Sequence, residues 1–191
     1  MYILCDTCSV LMLIRIAPDM FLDDRYGCVT VQEVFQEFFR TQKFKTKYPW
    51  RTKYKSKIKA LIKSKVETGD FNLYLEAIRN IIVTGKINKR TKRFFSLSYI
   101  DQQIAACSIA HSFKLTTVDD DLNDFVIQEF SGKTISPLGI VNDWIKEGLI
   151  KWDDDLQSIL EDWDKCNEHP QPIKEIKRFE KLSGYKYAGP K

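Results

Sequence analysis

The chain has 191 residues, a formal net charge of +4, 43% hydrophobic residues and 29% charged residues. These values are ordinary for a globular protein, so they exclude a disordered or membrane-embedded class for the chain as a whole. No apolar run approaches the roughly 18 residues that span a bilayer, and the first residues lack the basic start of a secretory signal. We therefore expect a cytoplasmic protein that does not contact membranes.

The first predicted elements are a strand and a helix. Residues 2–5 form a short apolar run that ends abruptly at Asp6, and residues 9–16 are apolar on a helical period. Asp6 is thus predicted at the carboxyl end of a strand. Cys5 and Cys8 flank it with the spacing of a redox motif or of half a zinc site. The five cysteines are, however, an odd and scattered set, which favours reduced, packed thiols.

The next predicted helix begins at Thr30. The pattern Thr30-x-x-Glu33 precedes phenylalanines at helical spacing, which makes Thr30 the expected N-cap and puts Glu33 in the first turn. Residues 44–95 are then expected to form a helical insertion, with one helix around residues 53–66 and another around residues 71–82.

The insertion is strongly basic. Eleven Lys and Arg residues lie between positions 40 and 65 with no acid among them, and a second basic cluster covers residues 86–93. Clustered cations bind a phosphate backbone through counterion release, so these segments favour a nucleic-acid partner. The four aromatic residues between positions 44 and 54 either stack on unpaired bases or enter the core. The candidate RNA-binding residues are Lys53, Lys55, Lys59, Arg90 and Arg93.

Helices and strands alternate again after the insertion. Ser98-x-x-Asp101 repeats the capping pattern ahead of a helix of small and apolar residues, and residues 114–118 form a β-prone run that leads into three consecutive acids. Residues 133–136 suit a further strand, after which Pro137 suits the first position of a helix. Strands that alternate with helices predict an α/β fold with a central parallel sheet.

Four acids share one topological position in this arrangement. Asp6 and Asp119 directly follow strands, while Glu33 and Asp101 begin helices. Ligands bind beyond the carboxyl ends of the strands in open α/β sheets, so we expect these acids in one cleft. Crowded carboxylates raise one another's pKa, and the usual remedy is a divalent cation that prefers oxygen, Mg²⁺ or Mn²⁺. Two such ions about 4 Å apart can activate water and stabilise the leaving oxygen of a phosphodiester.

Each acid also has an ordinary explanation. Glu33 and Asp101 belong to capping-box patterns, and Asp6 and Asp119 suit the N-caps of the helices that follow their strands. Such a cap is worth about 0.5–2 kcal/mol without any catalysis. Taken singly, each acid is better interpreted as a cap, but their recurrence at one end of the sheet favours a hydrolytic site.

The order of these motifs resembles the PIN-domain family over roughly residues 1–147. The matching segments are Asp6-Thr7 after the first strand, Thr30-x-x-Glu33, Leu97-Ser98-x-x-Asp101, Thr117-x-Asp119-x-Asp121-Leu122 and Ile135-Ser136-Pro137. The nearest comparison within that family is with VapC-type toxins, which are small Mg²⁺-dependent endoribonucleases of bacterial toxin–antitoxin pairs. The resemblance implies a three-layer α/β/α fold with a central parallel sheet.

The resemblance also implies roles for individual residues. The expected catalytic and metal-binding acids are Asp6, Glu33, Asp101 and Asp119, with Asp121 as an additional metal ligand. Thr7 and Thr117 are expected to orient carboxylates by hydrogen bonding. The implied cofactor is Mg²⁺ or Mn²⁺, and the implied partners are RNA as substrate, a cognate antitoxin and a second copy of the chain in a homodimer.

Two segments depart from the minimal toxins. The insertion at residues 44–95 is longer and more basic, and the chain beyond residue 149 has no counterpart in them. We therefore expect residues 1–149 to form a PIN-like nuclease domain and residues 150–191 to form an acidic helix with a loosely ordered tail that contains Pro and Lys. Two alternative functions stay open: a catalytically inactive PIN-fold module that binds RNA or protein, and a metal-dependent DNA nuclease.

Overall fold

A computed structural model of the protein describes residues 2–190, without the side chain of Ser64. The chain has an α/β fold around a four-stranded sheet in which all strands are parallel, in the order β2-β1-β3-β4. The strands are β1 (Ile3–Cys5), β2 (Cys28–Val29), β3 (Lys114–Thr116) and β4 (Thr134–Ile135). Because β1 and β3 are central neighbours, the residues that follow them meet at one edge of the sheet.

Helices connect the strands in two groups. One group packs α1 against α2 and α8, and the other packs α6 against α5 and α7, which is consistent with a three-layer α/β/α arrangement. No helix in residues 2–190 is both long and apolar enough to cross a membrane. The helices are α1 (Thr7–Leu13), α2 (Gln32–Arg40), α3 (Gln42–Lys47), α4 (Lys63–Val66), α5 (Gly69–Val83), α6 (Tyr99–Ala110), α7 (Asp120–Phe130), α8 (Pro137–Lys146), α9 (Asp154–Lys165) and α10 (Ile173–Ser183), with 3-10 helices at Asp24–Tyr26 and Pro49–Lys57.

Most of the predicted elements are confirmed. The strand before Asp6, the two later strands and the helix that begins at Pro137 all form, and α5 covers the predicted residues 71–82. The capping box of α6 is complete, because Ser98 and Asp101 each accept a hydrogen bond from the other's backbone N–H. The prediction of thiols is also confirmed, since all five cysteines are free and three of them are buried.

The predicted N-cap at Thr30 is wrong. The N-cap of α2 is Val31, and no side chain caps this helix. Thr30 instead extends the sheet: it pairs with Ala60 in an isolated parallel bridge, and its buried hydroxyl donates to the Cys5 carbonyl at 2.9 Å. The Thr30 side chain is thus engaged with the sheet, and no side chain accepts a hydrogen bond at the N-cap of α2.

The predicted helix at residues 53–66 is also wrong. Pro49–Lys57 is a 3-10 helix, and only Lys63–Val66 is α-helical. Arg51 explains much of the difference, because its side chain is 2% exposed and donates to the carbonyls of Phe38 (2.8 Å) and Phe44 (2.9 Å). A tertiary interaction therefore sets the path of this segment, and the helical propensity of its lysines does not decide it.

The expectation of a loosely ordered tail is wrong as well. Ile173–Ser183 forms α10, whose Phe179 is fully buried and packs edge-on against Trp152 at 4.8 Å between ring centroids. Asn142 of α8 donates to the Glu175 carbonyl at 2.9 Å, so α10 is tied to α8. The high lysine content of this segment belongs to the solvent face of an amphipathic helix.

Candidate active site

Asp6 occupies the carboxyl end of β1 and is almost completely buried. Its Oδ1 accepts a hydrogen bond from the Ser9 backbone N–H at 2.7 Å, so it caps α1 as well. Its Oδ2 accepts from the Thr117 hydroxyl at 2.6 Å. Burial, and to a lesser extent the charge of Asp101, raise the pKa of Asp6 from its ordinary value of 3.8 to about 6.

Asp101 and Asp119 lie at the starts of two other helices, α6 and α7. Burial raises the pKa of Asp101, and the charges of Asp119 and Glu37 raise it further. Asp119 is the N-cap of α7, where its Oδ1 accepts from the Leu122 N–H at 2.9 Å. The capping roles predicted for Asp6, Asp101 and Asp119 are confirmed, since one carboxylate oxygen of each residue accepts a hydrogen bond at the start of a helix or from its N-cap. The convergence of the four acids in one metal-binding cleft stays a prediction.

Thr117 connects two of these acids. Its hydroxyl donates to Asp6 and accepts a hydrogen bond from the Asp119 backbone N–H at 3.0 Å. Because Thr117 directly follows β3, this single buried hydroxyl holds the end of β1 and the start of α7 in a fixed relation. The contact is the kind expected of a residue that orients a carboxylate, and the functional role of Thr117 stays a prediction.

Glu37 is a further candidate site residue that the sequence analysis missed. Thr7 donates its hydroxyl hydrogen to Glu37 Oε2, and the charge of Glu37 contributes to the raised pKa of Asp101. Glu37 follows Glu33 by four residues and therefore lies on the same side of α2, one turn further along. That spacing was a visible signal for a second candidate on this helix.

Glu33 lies elsewhere along α2. It is in the first turn, as predicted, and it lines a small pocket together with Lys63 and Gln103. Its charge acts on Lys63 and on Cys107, whereas the charges that raise the pKa of Asp101 are those of Asp119 and Glu37. The catalytic assignment of Glu33 stays a prediction, with Glu37 as its competitor.

Both carboxylate oxygens of Asp121 accept hydrogen bonds from another part of the chain. Its Oδ1 accepts from the side-chain amide of buried Asn88 at 3.1 Å, and its Oδ2 accepts from the Ser96 N–H at 3.3 Å. The side-chain amide of Asn88 also donates to Asp124 at 2.9 Å, so two acids of α7 hold the segment around Asn88 in place. Metal binding by Asp121 stays a prediction, and it would compete with both hydrogen bonds.

The predicted RNA-binding residues are all exposed, but one of them, Arg90, also forms salt bridges. Lys53, Lys55, Lys59 and Arg93 are exposed, whereas Arg90 forms salt bridges with Asp120 (3.1 Å) and Asp124 (2.7 Å). Arg51, which contributes to the basic run in the sequence, is buried and is not available to RNA. The aromatic residues follow the core alternative: Phe44 and Tyr48 are buried, and Trp50 and Tyr54 pack against the core.

Cys5 and Cys8 do not have the properties of reactive thiols. Burial raises the pKa of Cys5 well above its ordinary value, and burial together with the charge of Asp6 does the same for Cys8. A thiol with a raised pKa carries little thiolate, which is the reactive and metal-binding form. The spacing of the two cysteines thus reflects packing around Asp6.

No protein-family model, curated protein or solved structure matches this chain. The likeness to the PIN family therefore depends on the motifs in the sequence alone. The structure shows that, in addition to burial, the charge of Asp101 raises the pKa of Asp6, and the charges of Asp119 and Glu37 raise the pKa of Asp101.

The donor set suits a hard divalent cation. All of its side-chain donors are carboxylate oxygens, which Mg²⁺ and Mn²⁺ prefer. The raised pKa values of Asp6 and Asp101 come mainly from burial, with a smaller contribution from neighbouring negative charge. Within residues 2–190, no three His, Cys, Asp or Glu side chains are already arranged around a common metal position. The residues fit the ion in chemistry, and ion binding would require their side chains to draw closer.

Proposed function

We propose that this protein is a Mg²⁺- or Mn²⁺-dependent endoribonuclease of the PIN kind. One observation carries the proposal: Asp6 is a buried carboxylate at the end of a central strand and accepts hydrogen bonds from Ser9 and Thr117. Burial, and to a lesser extent the charge of Asp101, raise its pKa to about 6. A fold keeps such a costly arrangement where function requires it. The parallel sheet and the order of the acids along the chain support the PIN assignment.

The proposed metal-binding residues are Asp6, Asp101 and Asp119, completed by Glu37 or Glu33 from α2. A divalent cation bound there would polarise the scissile phosphate and lower the pKa of water. Thr117 keeps the Asp6 carboxylate turned toward the site, and Thr7 does the same for Glu37. In the hydrolysis itself, a water oxygen bonds to phosphorus, one P–O ester bond breaks and the departing alkoxide takes up a proton.

A cleavage assay tests the proposal. Wild-type protein should cut single-stranded RNA with Mg²⁺ or Mn²⁺ and stop cutting when EDTA is added, while Asp6→Asn and Asp101→Asn should each lower kcat by about 100-fold or more. Asp70→Asn is the matched control, because Asp70 is an exposed acid in the first turn of α5. Full activity in Asp6→Asn or in Asp101→Asn would overturn the proposal.

Two further arms refine the assignment. Glu37→Gln and Glu33→Gln, assayed in parallel, identify which acid of α2 belongs to the site, and we expect the larger loss from Glu37→Gln because Glu37 adjoins Thr7 and Asp101. A DNA strand of the same sequence separates RNA cleavage from general nuclease activity. Binding of RNA without cleavage of either strand would instead favour an inactive RNA-binding module.

The same proposal includes a role as the toxin of a toxin–antitoxin pair. A free ribonuclease is hazardous to its cell, so we propose regulation by a cognate antitoxin and assembly as a homodimer, as in the VapC-type toxins that the sequence resembles. Expression should arrest growth, and Asp6→Asn should restore it. Unimpaired growth at a matched level of active wild-type protein would favour a housekeeping nuclease.

A further inference from the structure

A cavity of about 350 Å³ opens beside the acidic site. Thr117 and Asp119 line it, and these are the residues that also bond to Asp6 or influence Asp101. The cavity is also lined by residues 169–172, which link α9 to α10, and by the first turn of α10. The C-terminal extension therefore borders the same edge of the sheet as the candidate catalytic acids.

The lining has the mixed chemistry that a nucleotide requires. Ile127, Pro170 and Pro172 present apolar surface, which suits the flat face of a base. Thr134 and Lys174 present a hydroxyl and an ammonium group, which suit a ribose and a phosphate. The volume falls at the lower end of the range of about 300–1,000 Å³ that is usual for small-molecule sites, so it accommodates about one nucleotide.

Ion pairs partly neutralise the acids around the cavity. Asp120 is paired with Arg90 at 3.1 Å and Glu175 with Arg178 at 3.4 Å, although each arginine also pairs with a second acid, Asp124 or Asp143. Lys174 lines the cavity, is exposed and forms no salt bridge within residues 2–190. A phosphate at this position can therefore pair with its ammonium group.

The wall from the extension is held in a defined position. Buried Gln171 accepts a hydrogen bond from the Leu138 N–H at 3.1 Å and donates to the His169 carbonyl at 3.0 Å. Leu138 belongs to the first turn of α8, so one glutamine joins the linker to the element that follows β4. A fixed wall can select its ligand, whereas a loose tail cannot.

We propose that this cavity holds the nucleotide adjacent to the scissile phosphate of a single-stranded RNA, and that Lys174 contacts its phosphate. The C-terminal extension is then part of the substrate site. This inference rests on the proposed nuclease function, because it places the substrate relative to Asp119.

The test compares charge reversals on one helix. Binding of a labelled single-stranded RNA of about ten nucleotides is measured by fluorescence anisotropy in the Asp6→Asn background, so that the strand is not cut. Lys174→Glu should weaken binding about five- to tenfold and flatten its salt dependence by about one counterion. Lys181→Glu is the matched control on α10, because Lys181 is exposed and lies two turns beyond the cavity lining. It should change affinity less than twofold.

A second variant probes the cavity by shape. Ile127 is 46% exposed and lines the cavity, so Ile127→Trp fills space there without altering charge or the core. It should weaken RNA binding as Lys174→Glu does, and kcat/KM on RNA should fall in parallel for both variants. Equal affinity for Lys174→Glu and Lys181→Glu, with Ile127→Trp like wild type, overturns the inference even if the protein cuts RNA. If the wild type binds RNA without cutting it and Lys174→Glu still weakens binding, the cleft is supported and the nuclease proposal fails.

Discussion

At the scale of single residues, the hydroxyl of Thr117, which follows β3, donates to Asp6, which follows β1. It donates to one oxygen of Asp6, while the Ser9 N–H donates to the other, and within residues 2–190 the buried carboxylate forms no salt bridge. Those two hydrogen bonds lower the pKa of Asp6, and burial outweighs them. Asp6 is therefore a residue that costs stability at neutral pH in the absence of a bound ion.

This cost predicts a pH-dependent effect of Asp6→Asn. The folded pKa of about 6 lies above the ordinary 3.8, so the contribution of Asp6 to stability is fully present below pH 3.8 and is lost as the pH rises through 6. The difference in free energy of unfolding between Asp6→Asn and metal-free wild type should therefore shift by about 3 kcal/mol in favour of Asp6→Asn as the pH rises from 3.5 to 7.5. Asn is as good an N-cap as Asp, so α1 keeps its cap.

Urea denaturation of both proteins in EDTA at the two pH values measures this difference. A constant difference between wild type and Asp6→Asn across that range would show that burial of the ionised carboxylate is not costly. Asp70→Asn, at an exposed position, should show no comparable pH dependence.

The candidate site residues that the sequence could place are those whose position follows from strand ends and caps. Asp6, Asp101 and Asp119 lie at a strand end or a helix start as predicted, because these are local features, and their catalytic roles stay predictions. Glu37 was not found, because the choice between two acids on one side of α2 depends on where the helix lies over the sheet. The start of α2 at Gln32, after an uncapped Val31, is set by tertiary contacts of Thr30.

At the scale of elements, Arg51 organises the ends of two helices. It donates to Phe38 and Phe39 in the last turn of α2, and to Phe44 and Tyr48 at α3 and its C-cap. Carbonyls at a helix end have no partner within the helix, and a guanidinium supplies several donors in one plane. One buried cation thus allows the chain to turn between α2, α3 and the 3-10 helix.

Replacement of Arg51 by Met should destabilise the protein by about 2–4 kcal/mol, because buried carbonyls lose their donors. Arg51→Lys should recover only part of this loss, since an ammonium group cannot reach the same set of acceptors. Lys53→Met on the same 3-10 helix is the exposed control and should change the free energy of unfolding by less than about 0.5 kcal/mol. Similar urea midpoints for Arg51→Met and Lys53→Met would contradict this account.

Elements with a strong local pattern could be predicted, and those set by distant contacts could not. The helix α5 has a Thr68 cap and an apolar side, so it was found nearly to its ends. The segment before it was mistaken for a helix, because the pairing of Ala60 with Thr30 and the hydrogen bonds of Arg51 are invisible in the local sequence. Likewise, the high lysine content of α10 resembles that of a disordered tail, and its helical packing depends on the burial of Phe179 in the core.

At the scale of the whole molecule, the C-terminal extension is joined to α1, the helix that Asp6 caps. Trp163 of α9 is buried and donates its indole N–H to the Met12 carbonyl of α1 at 3.1 Å. Arg15, just beyond α1, forms a salt bridge with Asp162 at 2.8 Å. Glu168 is buried against Tyr48 and lies 3.3 Å from Lys47, so the extension also contacts the basic insertion.

These contacts predict that the extension and the sheet unfold together. Trp163→Ala should lower the free energy of unfolding by about 3–5 kcal/mol, and far-UV and near-UV circular dichroism should still report one coincident transition. Ile173→Ala, at a residue that is 72% exposed on α10, is the control and should be nearly neutral. Two separate transitions, with the upper one at the wild-type temperature, would show that residues 1–149 fold independently.

Mn²⁺ binding tests the central claim most directly, because the account requires Asp6, Asp101 and Asp119 to share a divalent cation. Calorimetric titration of Mn²⁺ at pH 7.5 should give a binding isotherm for wild type and for Asp70→Asn, with affinity reduced about tenfold or more in Asp6→Asn and Asp101→Asn. Equal Mn²⁺ affinity in all four proteins, or none in wild type, would contradict a metal-dependent hydrolytic site at this edge of the sheet.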